Sequence, residues 1–137
     1  MNKLERQMID ILKTLKHDFN AIEIKSEFEA EGSRIEEMMR LKDVTSNLDL
    51  PLILKIGGVE ALTDVYNGLL VGVGTLIAPM AESKFSVKKY LKMISNYIAD
   101  DNKQDLNFFI NIETALAASN LDDILSLENI NSLSGVT

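Results

Sequence analysis

The chain has 137 residues, of which 46% are hydrophobic and 26% charged, so it can build the core of one modest domain and is not of the disordered class. The formal net charge is −7 and Lys and Arg form no basic run, which argues against a nucleic-acid-binding surface. The absence of cysteine excludes disulfides, zinc thiolates and cysteine nucleophiles, and it fits a reducing compartment.

Helix-like and strand-like periods alternate along the chain. The apolar spacing of residues 2–17 predicts an amphipathic helix, and the alternation over 21–29 predicts a first strand. Ser33 and Glu36 have the spacing of a capping box and predict the start of the next helix. Further predicted elements are strands at 52–56, 73–78 and 106–112, helices at 59–70 and 85–99, a polar turn at 100–104, short helices within 114–127 and the start of a fifth strand at 132–137.

We expect that the N-terminal segment is not a signal peptide. Residues 1–17 carry charged side chains among the apolar ones and lack a cleavage-site pattern. No stretch of the sequence reaches the roughly 18 unbroken apolar residues of a membrane span. We therefore expect a cytoplasmic protein with no membrane partner.

The order of the elements predicts a parallel α/β sheet with right-handed crossovers, in one domain over residues 1–137 that consists of an N-terminal helix and about four βα units. Each unit takes about 25 to 30 residues, as βαβ geometry requires. Two architectures share this signal. One is a complete doubly wound sheet, and the other is part of an eight-stranded barrel, which typically needs roughly 250 residues.

Ligands of parallel α/β proteins bind at the carboxyl ends of the strands, and this rule selects the candidate site residues. They are Glu27, Glu29 and Glu31 after the first strand, Lys55, Gly57 and Gly58 at the second, Pro79, Glu82 and Ser83 after the third, and Glu113 and Thr114 after the fourth. Glu113 ends a strand that should be buried, where a carboxylate must be solvated, paired or bound to a cation. The alternative is an ordinary acidic residue at the start of a helix.

Lys55 interrupts an otherwise apolar strand, and a buried lysine needs an anionic partner. It can hold a substrate carboxylate, form a Schiff base if its pKa is depressed, or make a structural ion pair with Glu27 or Glu29. Gly57 and Gly58 precede the next predicted helix and offer backbone N–H groups to a carboxylate or phosphate. They form neither a dinucleotide-binding fingerprint nor a P-loop.

Four segments carry a family resemblance: EFEAEGSR at 27–34, KIGG at 55–58, APMAES at 78–83 and NIET at 111–114. Together they resemble the HpcH/HpaI aldolase/citrate lyase family, in the order and spacing of the first four strands of that family's barrel. The resemblance implies the phosphoenolpyruvate/pyruvate type of TIM (β/α)8 barrel, of which this chain would be a truncated N-terminal half.

The resemblance also implies a reaction and a metal. Members of the family make or cleave carbon–carbon bonds of 2-oxo acids or acyl-CoA thioesters, and they use Mg²⁺ or Mn²⁺ to stabilise an enolate. Glu113 matches the glutamate that holds the cation. The aspartate that completes the pair would follow the strand that begins near residues 134–136, where this sequence stops, so we expect the lyase site to be incomplete as given.

The remaining site residues are assigned by the same resemblance. Lys55 stands where the family has the basic residue that binds the substrate carboxylate, which is an arginine in citrate-lyase-like members, and we assign Lys55 and Glu29 to catalysis. Gly57 and Gly58 are expected to orient the substrate carboxylate. The remaining pair, Glu82 and Ser83, is expected to shape the rim.

Half of a barrel leaves a strand edge unpaired, so we expect a homodimer or higher oligomer that covers the exposed surface. Two other interpretations stay open. The chain can be a non-catalytic binding or assembly module that retains a half-barrel fold, and Mg²⁺ binding separates this from a lyase. It can also be a doubly wound regulator of the flavodoxin type, which requires a strand order that reverses and an acidic pocket at the end of the first strand.

Overall fold

A computed structural model describes all residues from 1 to 137, and in it helices alternate with short parallel strands. The elements are α1 (Lys3–Asp18), β1 (Ile24–Glu27), α2 (Ile35–Ser46), β2 (Leu52–Lys55), α3 (Leu62–Val71), β3 (Thr75–Ala78), α4 (Lys84–Tyr97), α5 (Asp100–Gln104), β4 (Asn107–Ile110), α6 (Ala115–Ser119), α7 (Leu121–Leu125), a 3₁₀ turn (Ile130–Ser132) and β5 (Gly135–Val136). No helix among them is both long enough and apolar enough to cross a bilayer.

The five strands form one parallel sheet in the order β1-β2-β3-β4-β5. Each strand therefore pairs with the strand that precedes it in the chain, and the sheet grows along one edge only. This sequential order is that of the first half of a (β/α)8 barrel, which confirms the predicted fold class. The flavodoxin-type interpretation is wrong, because that fold needs an order that reverses along the sheet.

The core lies between the sheet and its helices. Alternate strand residues point to opposite faces, and one face of the sheet contributes Leu54, Leu76 and Ile110, none of which is exposed to solvent. These side chains pack with Val65 of α3 and Tyr90 of α4 in a cluster of 19 buried residues. The buried Tyr90 hydroxyl donates to the Leu76 carbonyl at 3.2 Å, which satisfies its polar atom inside the core.

The opposite face of the sheet is more polar. The register aligns Glu27 with Lys55, Lys55 with Ile77, and Ile77 with Phe109. None of these four residues belongs to the helix-facing cluster. A barrel places this set of residues toward its axis, so the sheet brings a carboxylate and an ammonium to the end of its inner face.

Several element boundaries differ from the sequence prediction. The first strand is limited to Ile24–Glu27, because it pairs with β2 alone and that ladder spans only these four residues. The predicted capping box of Ser33 and Glu36 is wrong by one position. Arg34 precedes α2, and the Glu37 carboxylate accepts a hydrogen bond from the Arg34 N–H at 2.9 Å. The predicted polar turn at 100–104 is a short helix, α5, in which Lys103 pairs with Asp100 at 2.9 Å.

Candidate active site at the carboxyl ends of the strands

Three charged residues from different strand ends meet at the rim of the sheet. The Lys55 Nζ atom lies 2.7 Å from Glu29 Oε2 and 3.4 Å from Glu113 Oε2. Glu29 follows β1, Lys55 ends β2 and Glu113 follows β4, so the cluster spans the sheet across β3. The Lys55 side chain is only 11% exposed. Of the residues that the carboxyl-end rule selects, Glu29, Lys55 and Glu113 therefore lie together. Glu27 pairs instead with Lys25 at 3.0 Å.

The Glu113 carboxylate is held by three donors. Its Oε1 atom accepts from the Met80 backbone N–H at 2.9 Å, and its Oε2 atom accepts from Asn111 Nδ2 at 3.2 Å and from Lys55 Nζ. These hydrogen bonds favour the ionised form, so the Met80 N–H first, and then Asn111 and Lys55, lower the pKa of Glu113. The carboxylate is therefore an anion at neutral pH.

The charge state of Lys55 follows from its partners. The hydrogen bond to Glu29 and the charge of Glu113 raise the pKa of Lys55 above its usual value. A Schiff-base lysine needs a depressed pKa, and that condition is not met here. Lys55 is a permanent cation of the site, available as a hydrogen-bond donor to an anion.

Gly57 and Gly58 lie in the turn after β2, and helix α3 begins only at Leu62 rather than near residue 59. The Gly57 N–H donates to Asp64 Oδ2 at 2.7 Å, and a Cβ atom on Gly57 would lie 3.0 Å from the same oxygen. The Gly57 N–H is thus already hydrogen-bonded to a carboxylate of the chain itself. Space around Gly58 is open, with no heavy atom within 4 Å of the position of a Cβ atom.

Glu82 and Ser83 fasten the loop after β3. The Ser83 hydroxyl accepts from the Ser86 N–H at 3.2 Å and caps α4. Glu82 Oε1 accepts from the Thr114 hydroxyl at 3.0 Å, which ties this loop to the residue after Glu113. Neither Glu82 nor Ser83 bonds to Lys55, so the structure places them beside the charged cluster rather than in it.

Sequence reasoning missed three residues of this region. Asp64 occupies the Gly57 amide, Asn111 braces Glu113, and Met80 aims its N–H at Glu113 from a left-handed conformation with φ of 52°. Asn111 was visible as part of the NIET segment, but its contact was not. The Met80 contact depends on the turn that follows Pro79, which periodicity does not reveal.

The charges and donors of the rim bear on metal binding. Nowhere in the chain do three or more His, Cys, Asp or Glu side chains group as a complete metal site. Glu113 nevertheless fits one ligand position of Mg²⁺ or Mn²⁺, which take carboxylate oxygens and often only one or two of them. Its side chain is 33% exposed, and the Lys55 ammonium lies 3.4 Å from its Oε2 atom.

The fold is similar to that of several solved structures. A HpcH/HpaI aldolase from Desulfitobacterium hafniense DCB-2 superposes with a TM-score of 0.70 at 14% identity, over 93% of this chain and 56% of that one. The citrate synthase SbnG gives a TM-score of 0.75 at 15% identity, over 96% and 55%. A HpcH/HpaI aldolase/citrate lyase family protein from Burkholderia cenocepacia J2315 gives 0.66 at 11% identity, over 99% and 68%.

These comparisons define the fold class. At such identities the likeness shows the fold alone, and it confirms that the resemblance seen in the four sequence segments extends to the arrangement of strands and helices. The chain spans between 55% and 68% of the length of these structures. No protein-family model and no curated protein matches the sequence.

Proposed function

We propose that the chain is a lyase- or aldolase-type domain that acts on 2-oxo acids or acyl-CoA thioesters through a metal-stabilised enolate. The observation that carries this proposal is the Glu29–Lys55–Glu113 cluster at the carboxyl ends of β1, β2 and β4. Its position on a fold similar to that of aldolases and a citrate synthase supports this chemistry over others. A cytoplasmic location is part of the proposal, and the cysteine-free composition favours it.

The proposed roles follow from the contacts. Glu113 supplies one anionic oxygen to Mg²⁺ or Mn²⁺, and the Met80 amide and Asn111 fix the direction of its carboxylate. The bound cation would supply Lewis-acid stabilisation of the negative charge that develops on an enolate oxygen. Lys55 orients the substrate carboxylate with a single ammonium contact, and Glu29 holds the Lys55 side chain in place.

The charge balance of the rim supports a cation requirement. One lysine stands against two carboxylates in this cluster, so the cluster alone repels an anionic substrate. A divalent cation at Glu113 reverses that sign. Both the cation and Lys55 can then attract a 2-oxo acid or a thioester enolate.

The rim residues complete the proposed substrate site. Gly58 offers the open backbone position to a substrate carboxylate, and Gly57 joins it if the substrate replaces the Asp64 carboxylate. Glu82 and Ser83 shape the wall next to Glu113 through the Thr114 contact. Because both outer edges of the sheet are open, we include a homo-oligomer in the proposal.

Enolisation of pyruvate tests the proposal without knowledge of the full substrate. Proton NMR in D₂O follows the exchange of the pyruvate methyl protons for deuterium in the presence of Mg²⁺ and the protein. We expect the wild type to accelerate exchange about tenfold or more over buffer with Mg²⁺, since a positioned catalytic group typically contributes at least that much. Glu113→Gln should lose the acceleration because it removes the anionic ligand.

The matched control is Glu128→Gln, which neutralises an exposed carboxylate that makes no ion pair with the cluster. It should leave the exchange rate unchanged. Equal exchange by the wild type and Glu113→Gln would reject the proposed role of Glu113. No acceleration by any variant, together with an absence of Mg²⁺ binding, would support the non-catalytic binding module instead.

A further inference from the structure

The Lys55 ammonium bridges two carboxylates unequally. It is 2.7 Å from Glu29 Oε2 and 3.4 Å from Glu113 Oε2, so Glu29 is the more tightly held partner. Glu113 Oε2 also accepts from Asn111 Nδ2 at 3.2 Å. Both lone-pair directions of that oxygen are therefore in use, and a ligand that needs one of them must displace a donor.

We propose that Lys55 is a built-in counterion of Glu113, and that a divalent cation binds Glu113 Oε2 by displacing Lys55 onto Glu29. The inference rests on the proposed function, because it takes Glu113 as the cation ligand. The longer contact is the one that yields. Release from Glu113 leaves Lys55 with its shorter hydrogen bond to Glu29, so the ammonium stays paired throughout.

Glu29 is suited to hold Lys55 alone. It follows β1 rather than β4, and its side chain is 29% exposed, so water solvates the rest of its carboxylate. The arrangement predicts opposite effects for the two partners of Lys55. Loss of Lys55 frees Glu113 for a cation, whereas loss of Glu29 leaves Lys55 with Glu113 as its only partner.

Titration with Mn²⁺ alone, followed through the electron paramagnetic resonance signal of free Mn²⁺, measures the competition on the full chain. Lys55→Gln should lower the Kd for Mn²⁺ roughly tenfold, because a unit positive charge within about 4 Å of the ion is removed. Glu29→Gln should raise the Kd several-fold. In the Lys55→Gln/Glu29→Gln double variant, the Glu29 change should have little effect, since no ammonium remains to be held.

A neighbouring lysine separates displacement from a general field effect. Lys25→Gln removes the same charge from β1, but Lys25 pairs with Glu27 at 3.0 Å and not with Glu113. We expect the Kd of Lys25→Gln for Mn²⁺ to differ from that of the wild type by less than twofold. An equal gain in affinity for Lys25→Gln and Lys55→Gln, or additive effects of Lys55→Gln and Glu29→Gln, would overturn the counterion role.

The outcomes also separate this inference from the proposed function. If Mn²⁺ binds the wild type and Glu113→Gln abolishes binding while Lys55→Gln does not tighten it, the metal site stands and the counterion role fails. If the wild type does not bind Mn²⁺, or Glu113→Gln binds equally well, both fail. Circular dichroism checks that each variant is folded.

If Lys55→Gln does not fold, Lys55→Arg replaces it in the test. The guanidinium fork can contact both carboxylates at once and is not easily released from Glu113. Its Kd for Mn²⁺ should therefore rise relative to the wild type. An unchanged Kd for Lys55→Arg would overturn the proposal.

Discussion

At the residue scale, the position of Glu113 depends on a backbone conformation that few side chains adopt. Met80 has a φ of 52°, in the left-handed region, and this turn after Pro79 points its N–H at the carboxylate. Such a conformation costs of order 1 kcal/mol or more for a residue other than glycine. The charge-assisted hydrogen bond to Glu113 offsets that cost, so the turn and the carboxylate stabilise each other.

This coupling predicts a pH-dependent contribution of Glu113 to stability. Its pKa is lowered from the usual 4.5, so the contribution is fully present above about pH 4.5 and is lost as the pH falls through the folded-state value. At pH 7, Glu113→Gln should reduce the free energy of unfolding by about 1 kcal/mol, a modest value because solvent screens a side chain that is one third exposed. Urea unfolding of both proteins from pH 7 to 3 measures the gap.

The gap should begin to narrow as the pH drops below about 4.5, where Glu113 of the unfolded chain takes up a proton. It should close once the pH has passed below the lowered folded-state pKa, where the wild-type carboxyl is neutral like the glutamine. Glu128→Gln serves as the control and should show almost no gap at either pH. A gap that stays constant down to pH 3 would show that the effect of Glu113→Gln is not the loss of a charge.

The sequence predicts the place of some of these residues in the site and not that of others. Glu113 and Lys55 could be predicted, because a charge at the end of an apolar run marks the rim of a parallel sheet. Met80 and Asp64 could not, since their roles come from a left-handed turn and from a loop that folds back on Gly57. Both depend on local backbone angles that residue type alone does not determine.

At the element scale, the packing of α3 on the sheet depends on the absence of a side chain. Gly68 lies in the middle of α3, where alanine would favour the helix by about 1 kcal/mol. A Cβ atom there would lie 2.9 Å from Leu54 Cδ2 and 3.3 Å from Leu76 Cδ2. Both leucines are fully buried, so neither can move aside without a shift of α3.

We therefore expect Gly68→Ala to destabilise the protein by about 1 to 3 kcal/mol in spite of its helix propensity. Thermal or urea unfolding measures the change. In the background of Leu54→Val, which removes one methylene from the contact, Gly68→Ala should cost less. A stabilising Gly68→Ala would mean that α3 lies farther from β2 than the structure shows.

Element boundaries show where sequence patterns lose information. Hydrophobic spacing predicted the existence and order of α1 to α4 and of β1 to β4, because these depend on which face is buried. It misplaced the start of α3, and the capping-box pattern misplaced the cap of α2. Those details depend on competing hydrogen bonds of single residues, such as Glu37 to the Arg34 N–H.

At the scale of the whole molecule, the sheet has two open edges. The outer edges of β1 and β5 have no strand partner, and apolar residues near them are exposed, with Ile22 at 78% and Val136 at 43%. A barrel has no such edges, because its eighth strand closes against its first. Periodicity alone did not separate a barrel from a doubly wound sheet, since the two differ only in which strands are neighbours.

The open edges predict self-association. At micromolar concentration, light scattering should give at least twice the mass of 15.3 kDa that one chain has. Ile22→Lys should shift the protein toward the single-chain mass, because it places a charge on the exposed edge region. A single-chain mass for the wild type over the whole concentration range would contradict the predicted oligomer.

We propose that the carboxyl ends of the strands, and Glu113 in particular, hold a divalent cation. Backbone amide NMR of the ¹⁵N-labelled chain with trace Mn²⁺ tests this most directly. The paramagnetic broadening of an amide signal falls steeply with its distance from the ion, and the four-residue strands separate the two ends of the sheet by roughly 10 Å. The amide signals of Met80 and Gly58 should broaden first in the wild type, and they should not broaden in Glu113→Gln. Broadening that is instead strongest at Gly74 and Leu106, beside the groove lined by Asp49 and Asp105 at the amino ends, would contradict the account.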